Sequence, residues 1–220
     1  QREIDLADAI LTCSDLAAES YICAGVPAAK LTAVPLGTDL HASELPAKAA
    51  SAVVRFVFVG ALRAVKGIDF LLDIFEQFQH DAVPAQLTLI GGVAESDLAT
   101  KARHLTNVTL KPHIAHPAVF EEMARHDVLL LPSRFDSFGM VVPEAMSVGV
   151  PALVTDRVGA KCIIEQHPGA GWIVPCEREA IRQKMLDLID RRDQLQAASA
   201  AARHAAQDYQ WSRYRQRVVA

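Results

Sequence analysis

Apolar residues along this chain follow two rhythms that take turns. Short unbroken runs rich in β-branched and aromatic residues, at Val53–Gly60, Gln86–Gly92, Asn107–Leu110, Asp127–Pro132, Val150–Val154 and Gly171–Pro175, predict buried strands. Between them the apolar positions spread to helical spacing. Ile68, Leu71, Leu72 and Phe75 stand at i, i+3, i+4 and i+7, and Ile181, Met185 and Leu188 mark a helix expected over residues 178–189. Further helices are expected over Ala118–Arg125, opened by His116-Pro117, and over Asp193–Ala206. Residues 2–36 carry the same alternation on a smaller scale. A strand at Ala9–Cys13 leads to Ser14 as an N-cap, a helix over Asp15–Ala24 stops at Gly25, and a strand follows over Leu31–Leu36. Strand and helix in alternation predict an α/β fold, doubly wound and Rossmann-like, with a mostly parallel sheet. Ligands of such sheets bind beyond the carboxyl ends of the strands, so the loops there hold the candidate chemistry.

Residues 40–52 are small, polar and without a period, which is linker character. They divide the chain into a unit over residues 1–45 and a larger one over 46–220. The 220 residues suffice for a sizeable core. A net charge of −4 without a basic run leaves no footprint for nucleic acid, and no apolar run is long enough to span a bilayer. No signal peptide is read, and the opening Gln1-Arg2-Glu3 reads as an excerpt of a longer chain. Cys13, Cys23, Cys162 and Cys176 form no Cys-x-x-Cys pair and are expected to be reduced thiols, mostly buried. His113 and His116 lack companions at ligand spacing, so no metal site is expected; both read as satisfied or exposed histidines.

One loop gathers unusual chemistry. The strand Asp127–Pro132 runs into Ser133-Arg134-Phe135-Asp136-Ser137-Phe138-Gly139-Met140-Val141-Val142-Pro143-Glu144-Ala145-Met146. Gly139 permits close approach of the backbone to a ligand, and a helix opening near Met140 offers N–H groups to an anion such as pyrophosphate. Asp136 and Glu144 stand on either side of seven residues. Carboxylates repel phosphate but accept hydrogen bonds from hydroxyls, a sugar's on one side and a ribose's on the other. An earlier strand end, Gly60-Ala61-Leu62-Arg63-Ala64-Val65-Lys66-Gly67, holds two cations. Taken singly, these are a capping Asp, a surface Glu and a solvated Lys; two such loops together favour a site.

The acid loop resembles the Glu-x(7)-Glu signature of retaining glycosyltransferases with the GT-B fold, a family worded close to Pro-Ser-x-x-Glu-x-Phe-Gly-x-x-x-x-Glu-Ala-Met. Pro132, Ser133, Phe138, Gly139, Glu144, Ala145 and Met146 stand in register, and Asp136 replaces the usual Glu. The first loop resembles the family's Gly-Arg-Leu-x-x-x-Lys-Gly. Lys66 matches, Ala61 takes the place of the Arg, and Arg63 lies two residues on. Gly91-Gly92 resembles a turn near the nucleotide, and His113 and Ile114 occupy positions whose backbone faces the base. The resemblance implies that residues 46–220 are the donor half of a GT-B enzyme, and residues 1–45 a remnant of the acceptor half.

The implied reaction is retaining transfer of a hexosyl group from a UDP- or GDP-sugar to an acceptor hydroxyl. Asp136, Glu144 and Lys66 are the implied catalytic residues. Gly60, Arg63, Lys66, Gly91, His113, Ile114, Asp136, Phe138, Gly139, Met140, Val141 and Glu144 are the implied donor contacts. No cofactor or metal is implied. The implied partners are a nucleotide sugar and an acceptor glycan, lipid or small molecule held by the missing domain, and not nucleic acid. The implied location is cytoplasmic, with the inner membrane face reached only through that missing domain. Two alternatives stay open, a non-catalytic nucleotide-sugar module and a GT-B epimerase. A glycosidase is rejected, because one short helical turn does not place two carboxylates on opposite faces of a sugar ring.

Overall fold

The computed structural model describes residues 2–40 and 51–219. Most of the expected linker, and the expected boundary at residue 45, lie outside the described residues. The amino-terminal unit runs α1 (Arg2–Leu6), β1 (Ile10–Thr12), α2 (Asp15–Cys23) and β2 (Leu31–Ala33). β1 and β2 pair in parallel, Ile10 with Leu31, in a two-stranded sheet of their own. The strand expected to reach Leu36 stops at Ala33.

The larger unit alternates without a break. It runs β3 (Val54–Val59), α3 (Ile68–His80), β4 (Ala85–Ile90), α4 (Ser96–His104), β5 (Val108–Lys111), α5 (His116–Ala124), β6 (Val128–Leu131), α6 (Val141–Ser147), β7 (Ala152–Thr155), α7 (Lys161–Gln166), β8 (Gly171–Val174), α8 (Arg178–Asp190), α9 (Asp193–Ala206) and α10 (Trp211–Val219). Its six strands form one parallel sheet in the order β5-β4-β3-β6-β7-β8. This is the doubly wound order, and it reverses between β3 and β6. Helices cover both faces, so β6 and β7 are buried at every position and read as continuous apolar runs. α3 buries Ile68, Leu71, Leu72, Ile74, Phe75 and Phe78. Phe75 meets Phe56 of β3 and Phe78 edge to face, at 6.1 and 5.6 Å between ring centroids.

The chain's end returns to its beginning. The Thr38 N–H donates to the Tyr209 carbonyl at 2.7 Å, and a Cβ on Gly37 would lie 2.6 Å from the Trp211 nitrogen. Trp211 packs edge to face on Tyr214 and serves as an anchor at this crossing. The cysteines are free thiols, and burial pushes Cys162 up to about 11. Among the described residues, no helix is long and apolar enough to cross a membrane.

Candidate active site

The crevice at the point of reversal is bordered by the loop after β3 and the loop after β6. Lys66 closes a short 3-10 turn, Ala64–Lys66, and Gly67 starts α3 in the left-handed region (φ 74°). Two facts require glycine there. The conformation disfavours a side chain, and a Cβ would sit 2.1 Å from the Pro132 carbonyl oxygen. The first loop is thus pressed onto the end of β6. Arg134 ties it from the other side. Its backbone N–H donates to the Val65 carbonyl at 2.9 Å, and its guanidinium donates to both Asp69 oxygens at 2.8 and 2.6 Å and to the Ala64 carbonyl. Its carbon lies 4.0 Å over the Phe70 ring. Hydrogen bonding to Asp69 raises the Arg134 pKa above its already high ordinary value.

So held, Lys66 places Nζ 2.8 Å from Asp136 Oδ2, in an ion pair whose side chains are 31% and 14% exposed. The backbone of Asp136 is fixed on both sides. Its N–H donates to the Arg157 carbonyl at 3.0 Å, and its carbonyl accepts from the Gly159 N–H at 2.9 Å. The next carbonyl, of Ser137, accepts from the Ser14 hydroxyl at 2.5 Å, while that same hydroxyl oxygen accepts from the Ala17 N–H and caps α2. The amino-terminal unit therefore touches the acid loop through its helix cap. Phe138 turns its ring into the core and its carbonyl to the Ala160 N–H at 2.6 Å, so its side chain and its carbonyl are both occupied within the fold. Gly139 bends the chain (φ 90°); a Cβ there would lie 2.8 Å from the Leu131 side chain.

Met140 and Val141, both half-buried, are the N-cap and first residue of α6, and Glu144 lies in its first turn. α6 has seven residues, so its dipole is small beside the charge of Lys66. The Glu144 side chain, 17% exposed, has Oε1 3.4 Å from His116 Nε2 at the start of α5. Gly60 and Gly91 end β3 and β4 side by side, a Cβ on Gly91 falling 2.1 Å from the Gly60 carbonyl oxygen. After β5, His113 is exposed and Ile114 packs partly against the core. A cavity of about 500 Å³ opens nearby, at the outer edge of the sheet, lined in part by Gly91, Val93, Arg103, Lys111 and Pro112. Arg63 is exposed at the front of the 3-10 turn; Lys66, not Arg63, reaches Asp136.

The model of a family described as glycosyl transferases group 1 matches residues 53–191, well over half of the chain. The chain belongs to the glycosyl transferases group 1 family. It is similar to D-inositol 3-phosphate glycosyltransferase from Jonesia denitrificans, at 30% identity over 70% of this chain and 39% of that protein. It is similar to glycogen synthase from Mycobacterium tuberculosis, at 24% identity over 93% of this chain and 51% of that protein. Among solved structures it superposes on sucrose-phosphate synthase from Thermosynechococcus elongatus with a TM-score of 0.81 at 21% identity, over 99% of this chain and 59% of that one. It superposes on HepE from Anabaena in complex with UDP-glucose with a TM-score of 0.80 at 20% identity, over 96% of this chain and 62% of that one. These likenesses show a Rossmann-like domain of the GT-B fold. The glycosyl transferases group 1 chain described here spans 39% to 62% of those four proteins' lengths.

Reading this family member from its residues alone misses the contacts that Arg134, Asp69, Ser14 and His116 make at the site. Arg134 falls on a variable position of the loop pattern, and its partner Asp69 lies 65 residues away. His116 has no acid near it in sequence; only the placing of α5 beside α6 brings Glu144 within reach.

Proposed function

We propose that this chain is the donor-binding half of a retaining glycosyltransferase, moving a hexosyl group from a UDP- or GDP-sugar to an acceptor hydroxyl. What supports this most is the Lys66–Asp136 pair, 2.8 Å apart in the crevice where the strand order reverses. A donor opens that pair. Lys66 turns its charge to the diphosphate, and Asp136 accepts hydrogen bonds from sugar hydroxyls. Glu144 holds the ribose, and the N–H groups of Gly139 to Val141 face the pyrophosphate. Arg63, exposed on the Lys66 loop, is the second cation. The base lies along the backbone of His113 and Ile114, with the close-set Gly60 and Gly91 beneath the nucleotide.

In the reaction the bond between the anomeric carbon and the diphosphate oxygen breaks, and negative charge gathers on the leaving phosphate. A cation fixed in advance stabilises that charge more in the transition state than in the bound donor, which is the requirement for acceleration. The acceptor oxygen bonds the anomeric carbon on the face the diphosphate leaves, which retains the configuration, and the hydroxyl proton passes to the departing diphosphate. Charge stabilisation comes from Lys66 and backbone groups without a metal ion. The acceptor is bound by residues outside this chain. The fold shared with HepE, whose structure holds UDP-glucose, supports a nucleotide sugar as the donor.

The test is calorimetric titration with UDP, GDP, ADP and NAD, without added metal, on wild type, Lys66→Ala and Glu144→Ala. One nucleoside diphosphate binds, and Lys66→Ala weakens it roughly 10- to 100-fold, the worth of one charged hydrogen bond. Glu144→Ala weakens it less. Tight NAD binding, or diphosphate binding indifferent to Lys66, would overturn the proposal.

A further inference from the structure

Two histidines border α5 and differ in every respect. His126 is buried, with Nδ1 2.8 Å from the Glu122 carbonyl and Nε2 2.8 Å from Thr88 Oγ1, so both ring nitrogens are satisfied inside the fold. His116 is 70% exposed along its side chain. Its ring stands edge-on against the buried Phe120 at 4.9 Å, which gives it a fixed wall. Its Nε2 points at Glu144 across to another helix, and the 3.4 Å separation is long for an N–H···O bond. The two groups face one space, and the long contact lies on the exposed side of His116, where a ligand hydroxyl can enter between them.

Resting on the donor-half assignment above, we propose that His116 is a ligand-binding residue that completes Glu144 as a clamp for the vicinal hydroxyls of the donor's ribose. An ionised carboxylate only accepts hydrogen bonds. A diol presents two hydroxyls, each a donor and an acceptor, so a carboxylate alone leaves its acceptor side unread. An imidazole N–H supplies the missing donor. Glu144 accepts from one hydroxyl, and His116 Nε2–H donates to the oxygen of its neighbour. The clamp favours a nucleotide with both hydroxyls free. It disfavours a deoxyribose, which loses a partner, and a phosphorylated one, which brings a second negative charge to Glu144.

The experiment is calorimetry with the nucleoside diphosphate that wild type binds and with its 2′,3′-dideoxy analogue, on wild type, His116→Ala, His116→Asn, Glu144→Gln and the double variant His116→Ala/Glu144→Gln. His116→Ala weakens the ribonucleotide about three- to tenfold, the range of one neutral hydrogen bond, and changes the dideoxy analogue less than about twofold. His116→Asn, which keeps an N–H donor, recovers part of the loss. The double variant loses less than the product of the two single losses, because the residues act on one ligand group. Exposure of His116 leaves the fold of the His116 single variants intact, and circular dichroism checks all four variants. Equal weakening of both ligands, or no weakening, overturns the clamp. Lys66→Ala separates the two levels. If it weakens the diphosphate while His116→Ala is silent, the clamp alone falls; if wild type binds no diphosphate, or binds it without Lys66, the donor assignment falls and the clamp with it.

Discussion

The two sides of the crevice are held by different means. On the Asp136 side the backbone fixes the site: hydrogen bonds on either side of Asp136, two tight glycine turns and the Arg134 brace hold the backbone that carries Lys66 and Asp136. On the Glu144 side, Glu144 in α6 meets His116 of α5 through its side chain, across the seam between the two helices, and His116 is mostly exposed. In the proposed roles this division has a physical reason. A cation that must meet charge developing in a transition state gains from being placed beforehand, since nothing then reorganises during the reaction. Groups that recognise the ribose hydroxyls, away from the reacting centre, lose less by adjusting as the ligand arrives. Rigidity belongs to the chemical end, adjustability to the recognition end.

Gly67→Ala breaks the rigid side and has the largest expected effect. Left-handed backbone with a Cβ costs about 1–2 kcal/mol, and the clash with the Pro132 carbonyl forces the Lys66 loop off β6. A total of about 3 kcal/mol lowers the melting temperature of a domain this size by roughly 6–12 °C. The diphosphate affinity falls with it, because Lys66 moves. His116→Ala, on the adjustable side, costs less than about 0.5 kcal/mol of stability. Equal melting temperatures for the two variants would erase the contrast.

Asp136→Asn tests the pair from the electrostatic side. The half-buried Lys66–Asp136 contact competes with any anion for Lys66. Removing the carboxylate charge frees the cation, so UDP or GDP binds roughly two- to fivefold tighter, the worth of an ion pair open to solvent. In the proposed role the sugar loses its hydrogen-bond acceptor at the same time, so the intact sugar nucleotide gains less than the free diphosphate. Weaker binding of the free diphosphate in a folded Asp136→Asn chain would show that the carboxylate does not hold Lys66 back.

What could be read beforehand and what could not follow from distance along the chain. The runs that became β3 and β6, and the stripe of α3, are local patterns within a few turns or strands, and they stood out at once. α4 went unread because it buries only Ala99 and Ala102 and so has no apolar stripe. α7 has six residues, too few to show a period. Phe138 is expected to meet the donor through its backbone, and its ring fills the core; the motif alone does not say which face of the loop is inward. Lys66 and Asp136 were each singled out, yet their meeting across 70 residues depends on β3 lying beside β6. His116 looked like a plain surface histidine for the same reason: its partner is 28 residues away.

The two ends of α5 show the same contrast on a smaller scale. His116 at its start is open to solvent, while His126 just past its end is locked. Burial lowers the His126 pKa, outweighing the Glu122 carbonyl and carboxylate that would raise it. In the unfolded chain this histidine titrates near 6.5, so below that pH the unfolded state binds a proton that the folded state resists. Its contribution is therefore complete above pH 6.5 and is lost as the pH falls toward the lowered folded value. The carboxylates of Glu122 and Asp73 act later. Burial raises both, but the Lys111 contact in one case and the Lys101 and Arg178 contacts in the other outweigh it, and both end below their ordinary values of 4.5 and 3.8. Urea unfolding at pH 7.5 and 5.5 separates these windows. Wild type loses stability over that interval, and His126→Gln is less stable throughout but much flatter. A wild-type slope in His126→Gln would place the titrating group elsewhere.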